Sequence, residues 1–197
     1  MYLGLVGRVR PNDCVLMVVD VQDRLIDTIS EYQPMVESIK ALIRAAAVLQ
    51  LPILATEQEN LGETIRDVRA LLPNAPTGKI SFSCCDNPEF TTRLSATGKR
   101  TAIVCGIETH ICVTQTVLDL LQNQNRVLVV KDATSSHNAT DRETAIRRME
   151  ALHAEITTTE AVIYELTQKA GTDEFRSILK IVKDRREKVR VANLRES

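Results

Sequence analysis

Apolar residues along the chain fall into two alternating patterns. In the first, short continuous runs of β-branched and other apolar residues predict strands that are buried on both faces. These predicted strands cover residues 14–19, 52–56, 101–105, 126–130 and 155–158, with a brief strand or extended segment at 79–83. In the second, apolar residues recur every three or four positions and predict helices. The predicted helices cover residues 30–50, 62–72, 141–153, 159–170 and 173–188, and two more begin at Asn87-Pro88 and near Thr109.

This alternation predicts the fold class. Strands that alternate with helices along nearly the whole chain are typical of an α/β fold, in which helices cover both faces of a mostly parallel sheet. The 197 residues suffice for one domain with a sizeable core, whereas an eight-fold barrel needs more residues. Open sheets of this kind place their sites in a crevice at the carboxyl ends of the strands. We therefore expect functional residues where the predicted strands end.

The stretch 101–113 joins a strand directly to a helix. Gly106 interrupts the apolar run, and Thr109 is a candidate N-cap for the helix that follows. Cys112 then falls in the first helical turn, where unpaired N–H groups and the helix dipole favour a thiolate. Free cysteines are among the most buried residues and commonly only fill space. Cys112 is thus a candidate nucleophile that needs partners elsewhere in the chain.

Two charged residues are suitable partners for this thiol. Asp20 directly follows the first apolar run, and Lys79 lies between Gly78 and an apolar-aromatic segment. An acid, a cation and a thiol in one crevice form a set of base, electrostatic anchor and nucleophile. Single carboxylates and lysines near strand ends are more often caps or solvated charges. Their joint occurrence with Cys112 favours the catalytic interpretation.

Composition and charge exclude several classes of function. Basic and acidic residues nearly balance, with a net charge of −1, so no electrostatic argument supports binding to nucleic acid or to an anionic membrane. The seven glycines form no Gly-x-Gly-x-x-Gly or Walker-type loop, and we expect no nucleotide cofactor. We therefore expect neither nucleic acid nor a membrane as a partner; a small-molecule substrate is implied only by the family resemblance described below.

The cysteines and the amino terminus indicate the compartment. The five cysteines are odd in number and two lie inside apolar runs, which is not a disulfide framework and points to a reducing environment. No apolar run approaches the length of a membrane span, and the amino terminus lacks the hydrophobic region of a signal peptide. We expect a cytoplasmic protein, with a short organelle address left open.

Three ordered motifs resemble those of the isochorismatase-like cysteine hydrolases. They are Val18-Val19-Asp20-Val21-Gln22, Lys79-Ile80-Ser81-Phe82-Ser83 and Gly106-Ile107-Glu108-Thr109-His110-Ile111-Cys112-Val113. Further matches are Thr56-Glu57-Gln58, residues 131–136 and residues 158–162, which are more similar to the isochorismatase domain-containing proteins than to the nicotinamidases. The resemblance runs from about residue 14 to residue 183, within a single domain of residues 1–197.

The resemblance implies a fold and a site. The fold is a three-layer, Rossmann-like arrangement with a six-stranded parallel sheet between helices, usually in a homo-oligomer, a dimer or higher. The site is a triad of Asp20, Lys79 and Cys112, with a cis peptide between Ile107 and Glu108 that directs the N–H groups of Glu108 and Cys112 to one point as an oxyanion hole. Residues within or beside the motifs are candidates for contacting the substrate. They are Gln22, Glu57, Gln58, Phe82 and Thr109.

The resemblance also implies a reaction. The Cys112 thiolate attacks the carbonyl carbon of a small amide, carbamoyl or related C–N substrate, and a thioester forms and is hydrolysed. Two alternatives stay open: an isochorismatase-type vinyl-ether hydrolase, which works without the nucleophile, and a catalytically silent oligomeric binding protein.

Departures from the nicotinamidase pattern bear on metals. The loop after the second strand has no histidine, and His110, His137 and His153 are scattered without ligand spacing. We therefore predict no catalytic metal and no cofactor. The adjacent pair Cys84-Cys85 does not match Cys-x-x-Cys spacing and is read as two ordinary thiols.

Overall fold

A computed structural model describes residues 7–29 and 32–196 of the chain, without the side chains of the last two. Within these residues, six parallel strands form one sheet in the order β3-β2-β1-β4-β5-β6. The strands are β1 (Cys14–Val19), β2 (Ile53–Gln58), β3 (Thr77–Lys79), β4 (Thr101–Ile107), β5 (Arg126–Ser135) and β6 (Glu155–Thr157). The predicted α/β class and six-stranded parallel sheet are confirmed.

Helices cover both faces of the sheet, as the sequence predicts. The helices are α1 (Asp23–Ile26), α2 (Tyr32–Val48), α3 (Arg66–Arg69), α4 (Pro88–Ala96), α5 (Thr114–Gln122), α6 (Ala139–Ala151), α7 (Thr159–Thr167) and α8 (Asp173–Glu196). Helices α2, α7 and α8 pack together on one face, while α4, α5 and α6 lie on the other. None of the helices in the described chain is long and apolar enough to cross a membrane.

The central strands are buried because both of their faces are apolar. In β1, Cys14, Leu16 and Val18 pack into the core beneath α2. The alternate residues Val15 and Met17 pack into the core beneath α5. Successive side chains of a strand point to opposite faces, so one continuous apolar run supplies both cores.

Several predicted boundaries are wrong, and local hydrogen bonding explains two of them. The predicted helix 62–72 shrinks to α3 because Thr64 pairs with Gln22 and the N–H of Ile65 donates to the carbonyl of Val21. The short strand ends at Lys79, where 79–83 was expected, because the following carbonyls turn towards the Lys79 ammonium. Strands β2, β4 and β5 and helix α8 run further than predicted. The predicted helix start at Ser30, and residues 1–6, lie outside the described residues.

Candidate active site

Asp20 lies at the carboxyl end of β1, at the edge of the sheet where the sequence predicts the site. Its φ of +49° is a left-handed backbone conformation, which aspartate adopts more readily than most residues. The side chain is fully buried. Its Oδ1 accepts a hydrogen bond of 2.8 Å from the hydroxyl of Thr56 on the neighbouring β2. Its Oδ2 lies 2.7 Å from Nζ of Lys79, so a buried ion pair neutralises the carboxylate.

Lys79 is the last residue of the edge strand β3, and its side chain is fully buried. Its Nζ donates to Oε1 of Gln58 at 2.8 Å and to the carbonyls of Ser81 and Phe82 at 3.1 Å each. Because an ammonium has three N–H groups, these neutral oxygens use all of them. Oδ2 of Asp20 lies at ion-pair distance from the same ammonium. The Asp20 carboxylate is also close enough to the Cys112 thiol to raise the pKa of that thiol.

Cys112 lies in a π-helical turn, Thr109–Val113, between β4 and α5. The N–H groups of Ile111 and Val113 both donate to the carbonyl of Glu108, and these two bonds bypass the N–H of Cys112. Glu108 caps the turn, so the predicted N-cap at Thr109 is wrong. The prediction that Gly106 ends the strand is also wrong, because β4 continues to Ile107. The peptide bond between Ile107 and Glu108 is cis.

The resting Cys112 thiol is protonated. Burial, and then the negative charge of Asp20, raise the pKa of Cys112 to about 12, and the positive charge of Lys79 opposes them only in part. The expected preference for a thiolate is therefore wrong for the isolated site, because desolvation and a carboxylate outweigh a short helical turn. Ionising the thiol requires a base, and Asp20 is the carboxylate whose negative charge raises the pKa of the thiol.

Comparisons with known proteins place this geometry in a family. The family model for the isochorismatase domain matches residues 14–161. The chain is 36% identical to the Isochorismatase family protein 1B of Dictyostelium discoideum, over 92% of this chain and 91% of that protein. The chain belongs to the isochorismatase family. The resemblance seen in the three sequence motifs is confirmed.

Solved structures support the same assignment for this isochorismatase-family hydrolase. The MAR1 ribonuclease from Caenorhabditis elegans superposes with a TM-score of 0.84 at 34% identity, covering 89% of this chain and 92% of that one. YcaC from Pseudomonas aeruginosa, solved with hexane-2,5-diol and covalent acrylamide, superposes with a TM-score of 0.83 at 26% identity. That alignment covers 90% of this chain and 93% of YcaC.

Two of the predicted substrate-contact residues of this isochorismatase-family protein form hydrogen bonds within the loop beside Asp20 and Lys79. Gln22 is fully buried, and its amide donates to the carbonyls of Gln58 and Gly62 and accepts from the N–H of Gln58. Gln58 in turn binds the Lys79 ammonium and donates to the carbonyl of Ile80. Their polar atoms are occupied within the chain, which favours a positioning role for both residues.

The remaining candidates differ in their surroundings. Glu57 accepts hydrogen bonds from the backbone N–H and the hydroxyl of Thr64. Thr109 is fully buried and shares a 2.9 Å hydrogen bond with Thr134. Phe82 is 53% exposed while its carbonyl binds Lys79, so its ring is the part of this set most open to a ligand.

Two features of the site escaped sequence reasoning. Cys84, interpreted from the sequence as an ordinary thiol, has its sulfur 3.6 Å from the Thr56 hydroxyl, which in turn donates to Asp20. His110 and His137, read as scattered, converge on the carboxylate of Glu108. The two histidines are 27 positions apart, so their spacing in the sequence does not indicate that they are close in space. The pairing of β4 with β5 brings them together.

Proposed function

We propose that this isochorismatase-family hydrolase is a cysteine hydrolase of a small amide, carbamoyl or related C–N substrate, working through a thioester without a catalytic metal. One observation carries the proposal. The buried carboxylate of Asp20, paired at 2.7 Å with Lys79, is electrostatically coupled to a protonated Cys112 thiol. A base, a fixed cation and a nucleophile are the parts that covalent acyl transfer needs.

The reaction begins with transfer of the thiol proton to Oδ2 of Asp20 as the sulfur attacks the carbonyl carbon. The positive charge of Lys79 stabilises the thiolate as it forms. The N–H groups of Glu108 and Cys112 stabilise the oxyanion, and losing one such donor typically costs roughly 100- to 1000-fold in rate. Protonated Asp20 gives its proton to the leaving nitrogen, the C–N bond breaks, and water then hydrolyses the thioester.

Three other functions are alternatives to this proposal. Vinyl-ether hydrolysis of the isochorismatase type needs no nucleophile, so a present cysteine disfavours it. A silent binding protein has no use for a buried acid–ammonium pair, which costs desolvation energy. A ribonuclease activity, as named for the C. elegans relative, requires attraction to phosphates, and a net charge of −1 supplies little.

The deciding experiment compares wild type with Cys112→Ala on a panel of small amides, ureides, a vinyl ether and a short RNA. We expect ammonia or amine release in the wild type, none in the variant, and a covalent adduct at Cys112 with acrylamide, the electrophile bound covalently in the P. aeruginosa relative. Cys85→Ala is the matched control, because Cys85 is a half-buried thiol outside the triad. Hydrolysis that persists in Cys112→Ala contradicts the covalent mechanism. RNA cleavage without amide turnover supports the ribonuclease.

We also propose that the chain forms a homo-oligomer in the cytoplasm. The segment after Lys79 exposes two large apolar side chains, Ile80 at 75% and Phe82 at 53%, and exposed apolar pairs favour protein contacts. Light scattering coupled to size exclusion should report a dimer or larger species, and Ile80→Ser should weaken it. A monomer at micromolar concentration contradicts this proposal. Five free cysteines agree with a reducing compartment.

A further inference from the structure

A second cluster of chemically capable side chains lies beside the Cys112 turn. Glu108 and His110 belong to the connection that follows β4, and His137 follows β5. One possible ligand atom from each residue lies within 4.8 Å of the others. Oε2 of Glu108 lies 2.8 Å from Nδ1 of His137 and 4.0 Å from Nδ1 of His110. The two imidazole rings are 5.5 Å apart between centroids.

The donor set and its spacing suit a transition-metal ion. Zinc binds histidine nitrogen and carboxylate oxygen at about 2.0–2.2 Å, so neighbouring ligand atoms in its tetrahedral shell are separated by roughly 3.3–3.6 Å. The separations of 2.8 Å and 4.0 Å from Oε2 lie on either side of that interval, each within about 0.5 Å of it. Two imidazoles and one carboxylate also leave at least one coordination position for water or another ligand.

The solvent exposure of these side chains and their hydrogen bonds favour the same interpretation. The side chain of Glu108 is 12% exposed, that of His110 23% and that of His137 53%, so the cluster opens to solvent on one side. Nδ1 of His110 also lies 3.0 Å from the Ser136 hydroxyl, so an ion bound at this nitrogen would replace that hydrogen bond. The N–H of His137 donates to Oε2 of Glu108 at 2.9 Å, which fixes the carboxylate against the loop that carries the histidine.

We propose that Glu108, His110 and His137 bind one divalent transition-metal ion of the zinc class at the rim of the active site. The ion ties the turn that carries Cys112 to the loop after β5. Its role is accessory: the reaction proposed above needs no metal, and this site is independent of that proposal. The alternative is a simple hydrogen-bonded pair of Glu108 and His137 with no affinity for metal.

The test measures binding directly, without using turnover. Metal-free protein is titrated with Zn²⁺ against a chromophoric chelator and with Co²⁺ by visible absorption, for wild type and for His110→Ala/His137→Ala. We expect one ion per chain, a Co²⁺ spectrum without a sulfur-to-metal charge-transfer band, and affinity lower by on the order of 100-fold in the double variant. Circular dichroism melts verify that the variant is folded.

The matched control is His153→Asn, because His153 lies outside the cluster and its φ of +74° is one that asparagine tolerates. This variant should bind as the wild type does. The proposal is overturned if the wild type binds no ion, if the double variant binds as tightly as the wild type, or if the Co²⁺ spectrum reports thiolate ligands.

Discussion

At the scale of single residues, the proposed chemistry depends on the charges of three buried groups, those of Asp20, Lys79 and Cys112. Lys79 donates hydrogen bonds to three neutral oxygens and forms a buried ion pair with Asp20. The Cys112 thiol stays protonated in the resting state because burial and Asp20 raise its pKa. In the proposed mechanism, the thiol therefore stays unreactive until substrate and base act together.

This arrangement predicts opposite effects of the two charged residues on thiol reactivity. Asp20→Asn removes a negative charge that raises the pKa of Cys112, so alkylation by iodoacetamide at pH 8 should become faster while hydrolysis is lost. Each unit by which the pKa falls increases the thiolate fraction about tenfold. Lys79→Met removes the charge that lowers this pKa, so alkylation should become slower. Mass spectrometry of timed labelling measures the alkylation rate of Cys112 in both variants. If both variants are folded and both change this rate in the same direction, Asp20 and Lys79 do not act oppositely on the pKa of Cys112.

The buried pair also predicts a stability effect. Lys79→Met leaves the Asp20 carboxylate buried without a counter-charge and should lower the free energy of unfolding by about 3–5 kcal/mol. Lys131→Met, which removes a half-exposed partner of Glu143, should change it by less than about 1 kcal/mol. Urea unfolding compares the two. Adding Asp20→Asn to Lys79→Met should restore part of the loss, and a double variant less stable than Lys79→Met argues against an uncompensated charge.

At the scale of elements, the site requires β1 and β4 to approach closely where both end. Gly106 has a φ of +119°, and a Cβ built on it would lie 2.0 Å from the carbonyl oxygen of Val19. The carbonyl of Gly106 also accepts a 2.8 Å hydrogen bond from Thr134 on β5. This glycine therefore sets the spacing of the strands that carry Asp20 and lead to Cys112.

Gly106→Ala should accordingly be severely destabilising. Overpacking and a disfavoured backbone conformation each cost roughly 1–3 kcal/mol, so we expect a loss on the order of 3 kcal/mol or more, or insoluble protein. Gly78→Ala is the matched control, because a Cβ there meets nothing within 4 Å and alanine reduces the entropy of the unfolded chain. Thermal melts of both variants measure the difference. Equal melting temperatures would contradict the close-approach role.

At the scale of the whole molecule, the five cysteines link stability to alkaline pH. Burial raises the pKa of Cys14 and Cys84 to about 11, that of Cys85 and Cys112 to about 12, and that of Cys105 well above its ordinary range. An unfolded thiol ionises near pH 8.5. The thiols therefore contribute their full stability below that pH, and the contribution is lost as pH rises through the folded pKa values.

Urea unfolding between pH 7 and 10.5 checks the direction in which the free energy of unfolding changes with pH. We expect stability to fall above about pH 8.5, with each buried thiol adding a slope of up to about 1.4 kcal/mol per pH unit. Cys105→Ala should lower stability at pH 7 but make the alkaline slope shallower, because it removes one fully buried thiol. A slope identical to that of the wild type would show that other groups dominate the alkaline transition.

Local pattern alone determined much of this protein. The run 14–19 matches β1 residue for residue, and α4 begins at Pro88, as predicted from Asn87-Pro88. Asp20, Lys79 and Cys112 could be named in advance because parallel strands bring their carboxyl ends to one edge. These features follow from residue order, which fixes periodicity, caps and strand ends.

Tertiary structure decided the rest, because contacts between distant segments carry no local signal. It ended β3 at Lys79 by turning two carbonyls towards a buried ammonium. It raised the pKa of the Cys112 thiol, because the thiol is buried and lies near the carboxylate of Asp20 at the end of another strand. It also brought two histidines to one glutamate by pairing β4 with β5. The sequence thus specifies which groups are available, whereas desolvation and proximity, set only by packing, determine their charge state and their partners.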